Sequence, residues 1–189
     1  MNNRKKPISE KKDADLLIDR AIQGDLEAFS FLYKENVQKI YNYIFYRIGN
    51  VYDAEDLTAR VFQRALKHIP NYKKKGVPFS AWLYRIAHNL VANWHRDNSR
   101  KKEVPINENI RRFYSGEQPE PALLQTQEME ELLVVIRNIS SDRQLLIVLK
   151  YVEKLTNAEI ARIMGRSEGA VKSLYHRTLL ELKRKLTQD

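Results

Sequence analysis

The chain has 189 residues, with 33 Lys and Arg against 24 Asp and Glu and a formal net charge of +9. At roughly 150 residues per domain this makes one or two domains, too little for a barrel or a large multidomain enzyme, and the surplus charge points to a polyanion, either nucleic acid or an acidic membrane surface. The absence of Cys excludes disulfides, Cys-ligated zinc, iron–sulfur clusters and thiol catalysis, and fits a reducing, cytoplasmic setting.

Residues 1–12 carry Arg4, Lys5, Lys6, Lys11 and Lys12 and read as a basic disordered tail. No apolar stretch follows it, as a signal peptide would require, and no run of about 18 apolar residues offers a membrane span. Helical periodicity starts at Asp13. Leu16, Leu17 and Ala21 form a short stripe that Gly24 breaks. Leu26, Phe29, Tyr33, Val37, Ile40, Ile44 and Ile48 then recur every three or four residues, one face of a long amphipathic helix ended by Gly49-Asn50. Asp53 is the expected N-cap of a third helix, with Leu57, Val61, Ala65 and Leu66 inward and Pro70 closing it. After a loop over 71–78, a fourth helix starts near Phe79, with Trp82 or Leu83, Ile86, Ala87, Leu90 and Trp94 on its inner side.

Residues 103–121 hold Pro105, Gly116, Pro119 and Pro121 among polar residues and read as a linker. Four further helical segments follow: Leu123 to Asn138, one N-capped by Ser140, one opened by Thr156-Asn157-Ala158-Glu159 and ended by Gly165, and one opened by Ser167. The third has the form of a capping box. With no strand-like alternation, the chain reads as all-α, two small helical domains over 13–102 and 122–189 on a flexible tether.

The charge is uneven. From 13 to 66 six basic residues face nine acidic ones, a balance of −3; from 67 to 102 nine face one, +8; from 166 onward six face three, +3. The basic 67–102 segment is interleaved with Tyr72, Phe79, Trp82, Tyr84, Trp94 and His95. Cations bind phosphates and flat aromatics can stack on unpaired bases, although each aromatic could equally serve the core. Near the C-terminus, a short capped helix, a Gly165-Arg166 turn and a longer helix have the spacing of a helix-turn-helix. Ala161 suits the helix crossing, Gly165 a left-handed turn, and Val171 with Leu174 or Tyr175 the inner anchors. Gly169, Lys172, Ser173, His176 and Arg177 then face outward, where Lys172 and Arg177 could reach bases or phosphates.

In this order the pieces resemble an extracytoplasmic-function sigma factor of the bacterial sigma-70 family, over about residues 14–187. Asp53-Ala54-Glu55-Asp56-Leu57 with Val61-Phe62-Gln63-Arg64-Ala65 is similar to the region-two helix that docks on polymerase. Phe79-Ser80-Ala81-Trp82-Leu83-Tyr84-Arg85-Ile86-Ala87-His88-Asn89 is similar to the promoter-melting helix, and Gly165-Arg166-Ser167-Glu168-Gly169-Ala170-Val171-Lys172-Ser173 to the region-four recognition helix. The resemblance implies a protein that binds core RNA polymerase, on the clamp of the largest catalytic subunit through Asp53, Glu55, Asp56, Leu57, Phe62 and Gln63, and near the flap of the other large subunit through its second domain. It implies melting of the −10 element by Tyr72, Lys73, Lys74, Lys75, Phe79, Trp82, Arg85, Asn89 and Arg96, with a flipped base near Asn89. It implies reading of the −35 element by Arg166, Ser167, Gly169, Ala170, Lys172, Ser173, His176 and Arg177. An anti-sigma factor is a partner common in the family. The chain departs from many members at Leu174, where they carry Arg, and at Tyr175, where they carry Leu; the 1–12 tail has no counterpart, and no long extension is expected after Asp189.

Two rival readings carry less of the sequence. An enzyme would need a metal set, a Walker loop or a nucleophile elbow; the four His residues, His68, His88, His95 and His176, form no H-x-x-x-H pair, and helix-start capping explains Asp53, Glu55 and Asp56. No cofactor or metal is expected. A helix-turn-helix regulator with an N-terminal sensor domain would explain the last helices and predict a dimer, but leaves the basic, aromatic 67–102 segment without a role.

Overall fold

The computed structural model describes residues 8–74, 76–98, 132 and 134–187, with side chains from Ala14 onward. Its regular elements are all helical, as the sequence predicts: α1 (Ile8–Ile22), α2 (Leu26–Ile48), α3 (Val51–His68), a 3-10 turn (Ile69–Asn71), α4 (Phe79–Asn98), α5 (Ser141–Ile147) widening into a π turn (Val148–Val152), α6 (Asn157–Met164) and α7 (Glu168–Leu186). The 103–121 segment and most of the helix expected over 123–138 lie outside the described residues. Among the described residues, no helix is long and apolar enough to cross a membrane.

α1 begins at Ile8 rather than Asp13, so its first turn lies within the stretch read as a tail. The Glu10-Lys11-Lys12 run supplies straight-chain helix formers there. α2 is capped by Asp25, whose carboxylate accepts from the Glu27 and Ala28 N–H groups at 2.9 and 3.0 Å. It ends at Gly49, whose φ of 70° is left-handed and whose N–H reaches the Phe45 carbonyl at 2.8 Å. Phe29, Ile40, Ile44 and Ile48 are buried, joined by Leu32 and Tyr43. Leu26 and Tyr33, expected in the same stripe, are 68% and 41% exposed. At about 100° per residue both fall on the same face as Ile40 and Ile44, so their exposure comes from how little of the start of α2 the neighbouring helices cover.

The cap of α3 is Asn50, not Asp53: its side-chain oxygen accepts from the Asp53 N–H at 3.0 Å, and the helix begins at Val51. Leu57, Val61 and Ala65 face inward, whereas Leu66 is exposed. Pro70 sits in the 3-10 turn that ends the run. α4 buries Leu83, Ala87 and Leu90 and leaves Trp82, Ile86 and Trp94 only partly covered.

The first four helices form a bundle in which α2 packs on α1, α3 and α4, and α3 on α4. In the C-terminal part, α7 packs on α5 and α6. α4 also packs on α5 and α6, so Leu146, Leu149, Ile160 and Val171 share one apolar core with Ile40, Leu57 and Leu83. A smaller cluster of Val135, Ile139 and Leu182 lies beside it.

Candidate nucleic-acid interface

Three aromatic rings gather where the 3-10 turn leads through the 71–78 loop into α4. Tyr72 lies 4.8 Å from Trp82 and 5.5 Å from Phe79, and Phe79 lies 5.4 Å from Trp82, all centroid to centroid. Phe79 is buried, while Tyr72 and Trp82 are partly open. Phe79 therefore forms the floor of the cluster. A cavity of about 430 Å³ opens beside the rings, and Tyr72, Lys73, Trp82, Arg85 and Asn89 line it. An apolar plate, an amide and two cations thus converge on one concave site, the composition a base with its phosphate requires.

The remaining cations of this segment are placed differently. Lys74 is turned to α1, with its Nζ 2.7 Å from Asp19 and donating to the Asp15 carbonyl at 2.8 Å. It ties the loop to the bundle. Lys75 lies outside the described residues, and Arg96 is exposed near the end of α4, 3.4 Å from Asp97. Arg162 of α6 also lines the cavity. Sequence order alone could not place it there, because it sits on the far side of the linker segment.

Of the docking candidates, Glu55, Asp56 and Gln63 are exposed and Asp53 is partly so. Leu57 and Phe62 are 1% and 5% exposed. They hold α3 against the bundle, as the apolar stripe of an amphipathic helix does. Tyr52, absent from the expected set, is 82% exposed beside the acidic group. Its signal in the sequence is an aromatic off the register of Ala54, Leu57, Val61 and Ala65.

The helix-turn-helix is built by local chemistry. Thr156 and Glu159 cap each other reciprocally, the Glu159 carboxylate accepting from the Thr156 N–H at 2.8 Å. Gly165 has φ 65° and accepts the sharp turn that a side chain would strain. The Ser167 hydroxyl caps α7 through the Ala170 N–H at 3.2 Å. Val171, Leu174, Thr178 and Leu182 are buried, which turns Gly169, Lys172, Ser173, His176 and Arg177 to solvent, with Ala170 half-buried between the two faces. Lys172 rests 3.0 Å from Glu168, an exposed i,i+4 pair of about 0.3–0.5 kcal/mol that a phosphate can displace. Arg177 donates to the Ser173 carbonyl at 3.3 Å. Arg166 is bonded to Asp142 of α5.

Two imidazoles on α4 have shifted chemistry. Burial, reinforced by the Arg47 guanidinium, pushes His88 and His95 below the ordinary 6.5, and for His88 the nearby Asp142 offsets only part of this. A lowered folded-state value means that the unfolded chain binds the proton first as pH falls through 6.5, so stability declines with acidification. Thermal melting should therefore fall between about pH 7.5 and about pH 5.5, and a His88→Gln, His95→Gln double variant should flatten that decline. Among the described residues, no group of three His, Asp or Glu is placed to hold a metal.

The same two halves are matched by family descriptions. Residues 32–101 match Sigma-70 region 2, and residues 129–182 match Sigma-70, region 4. The chain is 35% identical over 187 residues to the ECF RNA polymerase sigma factor BldN of Streptomyces coelicolor, across 98% of this chain and 71% of that one. This chain belongs to the extracytoplasmic-function sigma factors of the sigma-70 family. A second sigma factor of the group, SigW of Bacillus subtilis, is 31% identical over 181 residues, across 89% of this chain and 94% of its own. The solved structure of CnrH in complex with the cytosolic domain of CnrY shares the fold, with a TM-score of 0.65 at 22% identity over 93% of this chain and 99% of that one. The sensor-domain regulator is not favoured: the N-terminal bundle is a sigma region.

Proposed function

We propose that this sigma factor directs core RNA polymerase to promoters through three surfaces: the exposed start of α3, the cavity beside Trp82, and the outer face of α7. The observation that carries the reading is the split of α7 into a buried stripe of Val171, Leu174 and Thr178 and an exposed face with Lys172, Ser173, His176 and Arg177. A recognition helix needs that division, with small residues at its start so that the backbone can approach base edges in the major groove.

In this reading 13–102 is the docking and melting domain, 122–189 the −35-reading domain and 103–121 the linker. Asp53, Glu55, Asp56 and Gln63 meet the clamp of the largest polymerase subunit, and the second domain sits near the flap of the other. The acidic balance of the 13–66 segment suits a protein partner better than DNA. Tyr72 and Trp82 stack on a base taken from the −10 element, Asn89 hydrogen-bonds it, and Lys73, Arg85 and Arg96 hold the adjoining phosphates. Flipping a base costs a few kcal/mol of lost stacking, which such a plate returns. The chain works in the cytoplasm and contributes binding rather than bond chemistry.

Run-off transcription with purified core polymerase tests this. A promoter-dependent transcript is expected; its absence on an active template overturns the assignment. Lys172→Ala and Arg177→Ala should each weaken use of the −35 element by about 1–3 kcal/mol where the side chain bonds a base. Templates with and without that element, compared side by side, check it, since both variants should lose only the advantage the element confers.

A further inference from the structure

Trp82, Arg85, Ile86 and Asn89 follow one another at helical spacing, so they stand on one face of α4. Two recesses open on that face. The larger, of about 430 Å³, takes Lys73 from the loop and Arg162 from α6. A smaller one, of about 200 Å³, shares Trp82, Ile86 and Asn89 with it and adds Arg64 from α3. Nη1 of Arg162 lies 3.6 Å from the point where a Cβ on Gly76 would stand, so the guanidinium reaches across to the 71–78 loop. Four cations, Arg64, Lys73, Arg85 and Arg162, thus surround one aromatic plate, and among the described residues no carboxylate lines either recess. Nor does any carboxylate among those residues pair with Arg64, Lys73 or Arg85.

Like charges gathered without counter-ions repel one another, and an anion bound among them removes that cost. A DNA strand spreads its charge along its length, one to each phosphate. A di- or triphosphate concentrates several charges at one point, which suits a cluster of cations better. We propose that the free chain binds a nucleoside polyphosphate here: the base lies on Trp82 and Tyr72 with its polar edge on Asn89, and the phosphates sit among Lys73, Arg85 and Arg162. The larger recess has the size that small ligands fill. Guanidinium forks grip phosphate oxygens in pairs, and an aromatic face accepts any base. The cations of the lining balance the phosphates, so no divalent metal is needed between them. The site goes beyond the promoter role of the cavity and does not depend on it, because the ligand is a diffusible molecule and the lining alone selects it.

Equilibrium dialysis of the full chain against labelled ATP and GTP, in EDTA, tests this. Saturable binding of one nucleotide per chain is expected. Adenosine and inorganic tripolyphosphate, each lacking one half of the ligand, should compete at least about tenfold more weakly than ATP. Trp82→Ala should weaken ATP at least about tenfold, the scale of one lost stack. Arg162→Gln should do the same through its lost phosphate grip; its side chain is exposed, so the core is untouched and circular dichroism should match the parent chain. No binding of either nucleotide, tripolyphosphate competing as well as ATP, or unchanged affinity in Arg162→Gln overturns the proposal. A fluorescent single-stranded oligonucleotide of a promoter's −10 region, titrated in parallel, separates the two roles of the cavity. Its displacement by ATP places both ligands in one site. An oligonucleotide that fails to bind, or that ATP does not displace, would sink the −10 assignment of the cavity and leave the nucleotide site standing.

Discussion

Trp82→Ala should cut open-complex formation by about 1–3 kcal/mol in transition free energy, the value of one base–aromatic stack, while leaving −35 binding unchanged. Trp82 packs on both Tyr72 and Phe79 and lines the cavity. Phe79 below it is buried, so the floor remains when the plate is removed. Permanganate footprinting of the melted strand, beside a mobility assay on duplex DNA carrying only the −35 element, separates the two effects. Asn89→Ala should reduce the same footprint by a smaller factor, because a lost hydrogen bond on the base is worth about 0.5–1.5 kcal/mol. A normal footprint in Trp82→Ala would mean that the cavity is not where the base goes.

Ile44→Ala should lower folding stability by about 2–5 kcal/mol, since truncating a wholly buried Ile removes transfer energy and leaves a cavity. Ile44 is 0% exposed near the C-terminal end of α2, the helix that touches α1, α3 and α4. Leu26→Ala on the same helix should change stability by less than about 0.5 kcal/mol, because Leu26 is 68% exposed. Urea unfolding followed by circular dichroism compares the two. Equal losses would show that the register of α2 differs from the one described.

These two positions also show what a sequence can reveal. Leu26 and Ile44 fall in one heptad-like stripe, and periodicity alone treats them alike; only the packing of the neighbouring helices separates them. Features set within a few residues were legible: the Thr156–Glu159 box, the left-handed Gly165 and the Ser167 cap all depend on chemistry at fixed short spacing. The cap of α3 is not legible because Asn50 and Asp53 are both good caps within one turn, and the choice depends on how the chain leaves Gly49. Leu57 and Phe62 belong to a motif that resembles a docking helix, yet a motif does not say which of its members face inward. Contacts across the linker were beyond reach. Ser80 and Glu153 are 73 residues apart, and nothing in either neighbourhood announces the other. The Trp82 cavity is half legible: its aromatics and cations stand within one basic stretch of sequence, but Arg162 arrives from another helix.

The continuity of the apolar core between α4 and the helices after the linker has a thermodynamic side. Residues that melt only when their neighbours do form one cooperative unit, and here Leu83 and Leu146 share one apolar core. The free chain should then lose both ends in a single heat-absorption peak. Anything that pries the ends apart also divides that unit, leaving each end to stand on its own smaller core, with a lower and separate melting point.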